Sequence, residues 1–324
     1  MNTPGLDERL VAQLRCDLLT GARRVPTGRQ AIQEWELSAV ERLFFADGSS
    51  VVCKVAAAPF TGEAAVLRAL NERDAAVPVL HGYAKRSEML GMLMDDLGGP
   101  VRAGTAAEAA AAARWVHAID DITGLTMFDQ AGLARLPGQA LDALNALRRQ
   151  ERFSDSWPIE ESLNRLAAVA RRRADGAERP PFGLCHGEFH HTSLHVSRTG
   201  CRLVDWAKAF TGPGLLDLAT WFGTRTPPEP RPLARLIRAY VAAGGHPDAE
   251  TDRGGLPAAR WALGWHRVWA AWWFLTTAAA GHHRPDTDRR QAQVVLRQLH
   301  GAAQLLGTSL PTRATRLPPL GNSS

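Results

Sequence analysis

Residues 184–221 read LCHGEFHHTSLHVSRTGCRLVDWAKAFTGPGLLDLATW, and the first thirteen of them hold four histidines and one glutamate. His186, His190, His191 and His195 are spaced by 4, 1 and 4 positions, which on a helix would align two pairs as zinc ligands. Gly187, Phe189, Thr192 and Ser193 are poor helix material, and the preceding RPPFGL reads as a loop, so the residues argue against that arrangement. A loop followed by a hairpin fits better. The strands SLHV (193–196) and RLVD (202–205), joined by a turn containing Gly200, bring Ser193 and Asp205 together, with Glu188 five residues before Ser193. Phosphoryl transfer needs these groups: a carboxylate near the attacking hydroxyl, oxygen ligands for magnesium, and a cation on the phosphates.

The cation is found upstream. WELSAVERLFFADGSSVVCKVAA holds two strand-like runs, 36–45 and 50–56, around the turn signal Ala-Asp-Gly-Ser. The second run places Lys54 among β-branched and apolar neighbours, where an ammonium is costly unless its charge is used. Glu63, in the first turn of a helix expected over 61–73 with Thr61 as its N-cap, can pair with it. Further strands are expected near 79–84 and 88–94, and residues 21–31 read as a turn-rich entry segment after an amphipathic helix over 6–20. After Gly98-Gly99-Pro100 the pattern turns helical, over 105–119, 138–151, 159–174, 214–222, 230–243, 257–280 and 286–306. The expected class is therefore α+β and bilobal, with a small antiparallel β lobe followed by a larger, mainly helical one. The expected boundaries are 1–97 for a nucleotide-binding lobe, 98–307 for a helical lobe with the catalytic loop and acceptor site, and 308–324 for a disordered Pro/Ser/Thr-rich tail.

The motifs HGEFHHTS, LVDW, TGPG and LDLATW stand in the order and spacing of the aminoglycoside phosphotransferase and choline kinase group of small-molecule kinases, and the chain resembles that group from Lys54 to the helices after Asp217. The resemblance implies a protein-kinase-like fold, with ATP or GTP and Mg2+ as cofactors. It also implies roles for individual residues. Glu188 would be the catalytic base, His186 a support for its loop, and Ser193 and Asp205 the metal ligands. Lys54 would hold the phosphates with Glu63 orienting it, Asp95, Asp96 and Leu97 would form the hinge that meets adenine, and Asp217 would brace the catalytic loop. The group's usual catalytic Asp is Glu188 here, one methylene or roughly 1.5 Å longer, and its usual Asn is Ser193. The nucleotide-covering segment 26–36 contains only Gly28 and no GxGxxG. Singly, each residue also has a structural reading: Lys54 as an edge-strand lysine, Glu63 as a helix-dipole acid, Asp205 as a hairpin end, Asp217 as an N-cap. Their joint order and spacing carries the functional one.

At 324 residues the chain is long enough for a large domain or two lobes, and 45% hydrophobic with 22% charged residues is a globular balance. The net charge of +5, mostly arginine, speaks to association and not to fold. There is no secretory pattern and no apolar run of membrane length, so the expected setting is the cytoplasm, with neither membrane nor nucleic acid as partner. Cys16, Cys53, Cys185 and Cys201 form no CxxC pair and read as reduced, buried thiols. Arg171–Arg173 reads as a solvated helix end, and Trp261, Trp265, Trp269, Trp272 and Trp273 read as helix–helix core, with an aromatic substrate wall as the alternative. The expected function is transfer of a nucleotide's γ-phosphate to a hydroxyl of a small molecule such as a natural product or antibiotic, with Ser/Thr of a precursor peptide as an alternative acceptor. The segments expected near the acceptor, 128–160 and 225–290, are mixed and rather arginine-rich, which leans toward a less basic natural product over an aminoglycoside. The alternative is a pseudokinase-like module that binds nucleotide or peptide without transfer. Oligomeric state is not legible.

Overall fold

Lys54 lies on the middle strand of a sheet whose neighbours on both sides are apolar. The computed structural model describes residues 6–120, 122–198 and 200–308, and the chain forms two compact units. The first comprises residues 1–126 and 183–211, the second residues 127–182 and 212–324. Most of the expected tail, 309–324, lies outside the described residues.

The first unit opens with α1 (Glu8–Gly21), capped by Asp7, whose carboxylate accepts from the amides of Arg9 and Leu10. Five antiparallel strands follow: β1 (Gly28–Trp35), β2 (Ser38–Phe44), β3 (Ser50–Ala57), β4 (Leu80–Arg86) and β5 (Met89–Asp95), in the spatial order β1-β2-β3-β5-β4. In register, Lys54 faces Val40 on β2 and Met92 on β5. α1 lays Leu14 and Leu18 on Val55, Met89 and Leu93 of the sheet. Gly91 lets it approach, because a Cβ there would stand 3.0 Å from the Leu18 side chain. Helix α2 (Glu63–Asn71) follows β3, and its N-cap is Gly62, not Thr61. The other elements are α3 (Ala106–Val116), with a full capping box from Thr105 and Glu108, the strand β6 (Phe182–Cys185), the hairpin β7 (Leu194–Ser197) and β8 (Gly200–Leu203), and β9 (Phe210–Pro213), paired with β6.

β1 corrects the sequence reading. Residues 28–31 were expected in a turn-rich segment and 32–35 in a covering loop. All eight residues of the strand are exposed, so neither face shows the alternation that betrays a half-buried strand.

The second unit is helical: α4 (Gln130–Arg149), α5 (Trp157–Arg173), α6 (Leu215–Thr220), α7 (Pro230–Ala242), α8 (Ala258–Ala279) and α9 (Asp288–Leu306). α4 begins eight residues before the expected start and contains Pro137, because Asp129 caps it by accepting from the Gly132 amide. On α8, Trp261 and Trp265 are fully buried, and both indole N–H groups donate to the Arg173 carbonyl. Arg173 is thus a tie point rather than a solvated helix end, and its guanidinium also donates to Gly254. Among the described residues no helix is long and apolar enough to cross a membrane. Cys53 and Cys185 are buried as expected, whereas Cys16 is exposed.

Candidate active site

Within the first unit, a cleft of about 760 Å³ is lined by Lys54, Glu63, Glu188, Ser193, Asp205 and Lys208, among others. That volume suits a small-molecule ligand. A larger space of about 890 Å³ lies between α1 and strands β1 to β3, but there Arg15 and Glu41 pair with each other at 2.5 Å and no lysine faces it. Of the titratable groups singled out in the sequence, Lys54, Glu63, Glu188 and Asp205 line the smaller cleft.

Lys54 projects from β3 and its ammonium meets two carboxylates, Glu63 Oε2 at 2.6 Å and Asp205 Oδ1 at 2.7 Å. Burial alone would pull the lysine pKa down, but the two carboxylates outweigh it and hold it above the usual range. Glu63 is almost fully buried, and burial pushes its carboxyl up against the pull of Lys54. Its other oxygen accepts from the Trp206 amide at 3.1 Å, which ties α2 to the segment carrying Asp205. Burial likewise pushes Asp205 up, and here the neighbouring cations Lys54 and Lys208, with His186, win and hold it low. The cluster of one cation and two carboxylates carries a net negative charge, and the Asp205 side chain is 47% exposed. A half-exposed, ionised oxygen donor with excess negative charge behind it fits a hard divalent cation such as Mg2+.

Asp205 sits at φ +70°, in the left-handed region where a non-glycine residue is uncommon. Its neighbours hold it there. His186, fully buried, donates from Nε2 to the Val204 carbonyl (3.0 Å) and accepts the Glu188 amide at Nδ1 (3.2 Å), so one ring links the two halves of the site. Val204 N–H donates to the Ser193 carbonyl, and the Trp206 ring packs 4.5 Å from the His186 ring.

The loop itself explains Gly187. Its φ is +80°, and a Cβ at that position would fall 2.1 Å from the Lys208 carbonyl oxygen, so only glycine lets the two backbones meet. Glu188 then reaches Lys208, with Oε1 to Nζ at 2.6 Å. Ser193 is buried, and its hydroxyl donates to the Glu188 carbonyl at 2.6 Å and lies 3.2 Å from His190 Nδ1. The other histidines are not gathered around one point: His190 Nδ1 lies 2.7 Å from the Thr192 hydroxyl, and His195 lies on β7.

At the far end of β5 the side chains of Asp95 and Asp96 are engaged. Asp95 accepts from the Val79 amide and contacts His81. Asp96 takes a bidentate Arg42 (2.5 and 3.0 Å), the Ser50 hydroxyl and the Gly98 amide. Burial opposes its ionisation, but these partners hold its carboxyl low. Together with half-buried Leu97 these residues line the cleft, and the Asp95 amide is itself donated to the Val79 carbonyl at 3.0 Å. Asp217 belongs to the second unit, fully buried in the first turn of α6, whose N-cap is Gly214. The sequence reading missed Lys208 and Arg42. The only signal for Lys208 was its place three residues after Asp205, which matters once Glu188 is seen to require a counter-charge.

A search among curated proteins finds no match. Solved structures do match. A macrolide 2'-phosphotransferase from Brachybacterium faecium is 20% identical, with 88% of this chain and 97% of that one covered at a TM-score of 0.59. A choline/ethanolamine kinase family protein from Mesorhizobium loti is 15% identical over 90% and 98%, with a TM-score of 0.60. An amicoumacin kinase in complex with AMP-PNP and Ca2+ is 12% identical over 91% and 96%, with a TM-score of 0.59. These likenesses establish the fold as that of the protein-kinase-like phosphotransferases. The family model described as "Phosphotransferase enzyme family" matches residues 41–254, which span β2 to the segment before α8, so the chain belongs to the phosphotransferase enzyme family.

Proposed function

We propose that this phosphotransferase moves the γ-phosphoryl group of ATP or GTP to a hydroxyl of a small molecule. The observation that supports this most is the meeting of Lys54, Glu63 and Asp205 within 2.7 Å contacts in the cleft that Glu188 also lines. Lys54 is the cation for the donor's phosphates, kept charged by its two carboxylates. Asp205, with a lone pair of Ser193, would hold Mg2+, which when bound neutralises phosphate charge. The backbone of Asp95–Leu97 meets the base. Glu188 orients the acceptor hydroxyl and takes its proton. The acceptor oxygen forms its bond to the γ-phosphorus as the bond from that phosphorus to the β–γ bridging oxygen breaks, and the nucleoside diphosphate leaves. Most of the rate comes from positioning and fixed charges.

The similar structures include a macrolide 2'-phosphotransferase, an amicoumacin kinase and a choline/ethanolamine kinase family protein. The arginine-rich segment 225–290 favours a neutral or weakly basic natural product over a polycationic aminoglycoside. Mass spectrometry of an acceptor library incubated with enzyme, nucleotide and magnesium should reveal a product heavier by one phosphate. Glu188→Gln should abolish that product while the variant still binds nucleotide. Retained turnover in the variant removes Glu188 from the role of base.

A further inference from the structure

Lys208 is a second cation in the cleft, and nothing in the reaction above employs it. Its side chain is 16% exposed, its ammonium lies 2.6 Å from Glu188 Oε1, and its charge also favours the ionised form of Asp205. It thus stands between the carboxylate that would face the acceptor hydroxyl and the carboxylate that would face the metal. Its backbone is fixed, because its carbonyl sits against Gly187. Its stem is flexible and passes near the Phe60 ring, whose centroid lies 5.6 Å from the ammonium.

Resting on the phosphotransfer reading, we propose that Lys208 is a catalytic residue that binds the γ-phosphate of the donor, exchanging Glu188 for phosphate oxygens when a triphosphate enters. Two consequences follow from charge alone. In the empty cleft, the ion pair keeps the Glu188 carboxylate from being stranded beside Asp205 with no cation. With a triphosphate bound, the ammonium moves its charge to the group that is transferred, where negative charge is shared among the equatorial oxygens. Glu188 then has an oxygen available for the acceptor hydroxyl. Lys54 acts on the phosphates from β3, so the two lysines divide the polyphosphate chain between them.

The test reads the preference for triphosphate over diphosphate. Binding of ADP and of the non-hydrolysable analogue AMP-PNP is measured by calorimetry with magnesium, using the guanine pair if the wild type prefers it. Lys208→Met should leave ADP affinity near the wild-type value, which also reports an intact fold, and weaken AMP-PNP by about 10-fold or more. Lys208→Arg should keep much of the preference. Glu188→Gln, which removes the competing carboxylate, should strengthen AMP-PNP relative to ADP, and that gain should vanish in the Glu188→Gln/Lys208→Met double variant. An unchanged ratio in Lys208→Met overturns the proposal. If that variant does not fold, an unchanged ratio in Glu188→Gln overturns it instead. A wild type that binds neither nucleotide overturns the phosphotransfer reading itself, and this proposal with it.

Discussion

Replacing Lys54 by methionine removes the one ammonium that both Glu63 and Asp205 touch, while keeping most of the stem's volume. The two carboxylates do not suffer equally. Asp205 is 47% exposed and can turn to water, whereas the Glu63 side chain is 2% exposed and retains only the Trp206 amide. At 2.6 Å the attraction between Lys54 and Glu63 is about 6 kcal/mol at an effective dielectric of ~20. Much of that attraction offsets desolvation, so the pair itself contributes little. Leaving one partner behind is another matter, costing about 3–5 kcal/mol. The expected loss in Lys54→Met is of that size, and Lys54→Met/Glu63→Gln should recover most of it, since no buried charge is left alone. pH gives a second handle. Burial already raises the Glu63 pKa above 4.5, and losing the lysine raises it further. Between the unfolded and folded pKa values the folded state then binds more protons, so the single variant should regain stability as pH falls from neutral toward about 4.5, and the double variant should not. Hydrogen exchange of the β3 and β5 amides reports the first unit by itself and should show protection falling by about 10²- to 10⁴-fold in the single variant. A single variant within about 1 kcal/mol of wild type, or a double variant no more stable than the single, refutes the claim that Glu63 is held as a buried charge by Lys54.

Gly187→Ala should lower turnover more than 10-fold, because φ +80° and the Lys208 carbonyl leave no room for a Cβ, and the Glu188 loop must move; steady-state rates of the purified variant check this. In the second unit, burial and Arg267 push His266 down to about 4, so the unfolded chain binds the extra proton between that value and 6.5. Stability should therefore fall as pH drops through this window, by about 3 kcal/mol in all, and His266→Phe should flatten the slope in urea titrations at successive pH values. Thiol labelling of the folded chain with a disulfide reagent at pH 8 should modify exposed Cys16 within minutes. Cys53, buried and pushed up to about 12, should react only on unfolding.

What could be read from the sequence tracks how strongly each position is constrained by its own neighbours. Lys54 stood out because Val51, Val52, Cys53 and Val55 make its strand apolar, and a charge there needs a reason. Glu63 and Asp205 stood out because a helix start and a hairpin end fix where their side chains go. β1 was illegible because it is solvated on both faces and leaves no periodic trace. The start of α4 was hidden by Pro137, which reads as a helix boundary, while the Asp129 cap that governs the start lies eight residues before it. Lys208 was illegible for a different reason. Its meaning lies in a pair 20 residues apart in sequence, and only the approach of two backbones at Gly187 brings the pair together.

That last contact bears on why a glutamate at position 188 is compatible with a working site. An aspartate there would be one methylene shorter, and the 2.6 Å contact with Lys208 would have to be rebuilt from a fixed backbone. The extra length and the lysine therefore belong together: the longer acid reaches a cation that a shorter one would leave to Asp205 alone. Glu188→Asp tests this coupling. If the pair is a unit, the variant should lose activity even though the change keeps the charge, and Lys208→Met should then cost little more on that background. Full activity in Glu188→Asp, with Lys208→Met equally damaging in both backgrounds, would mean that the two residues act independently and that the length of the acid is incidental.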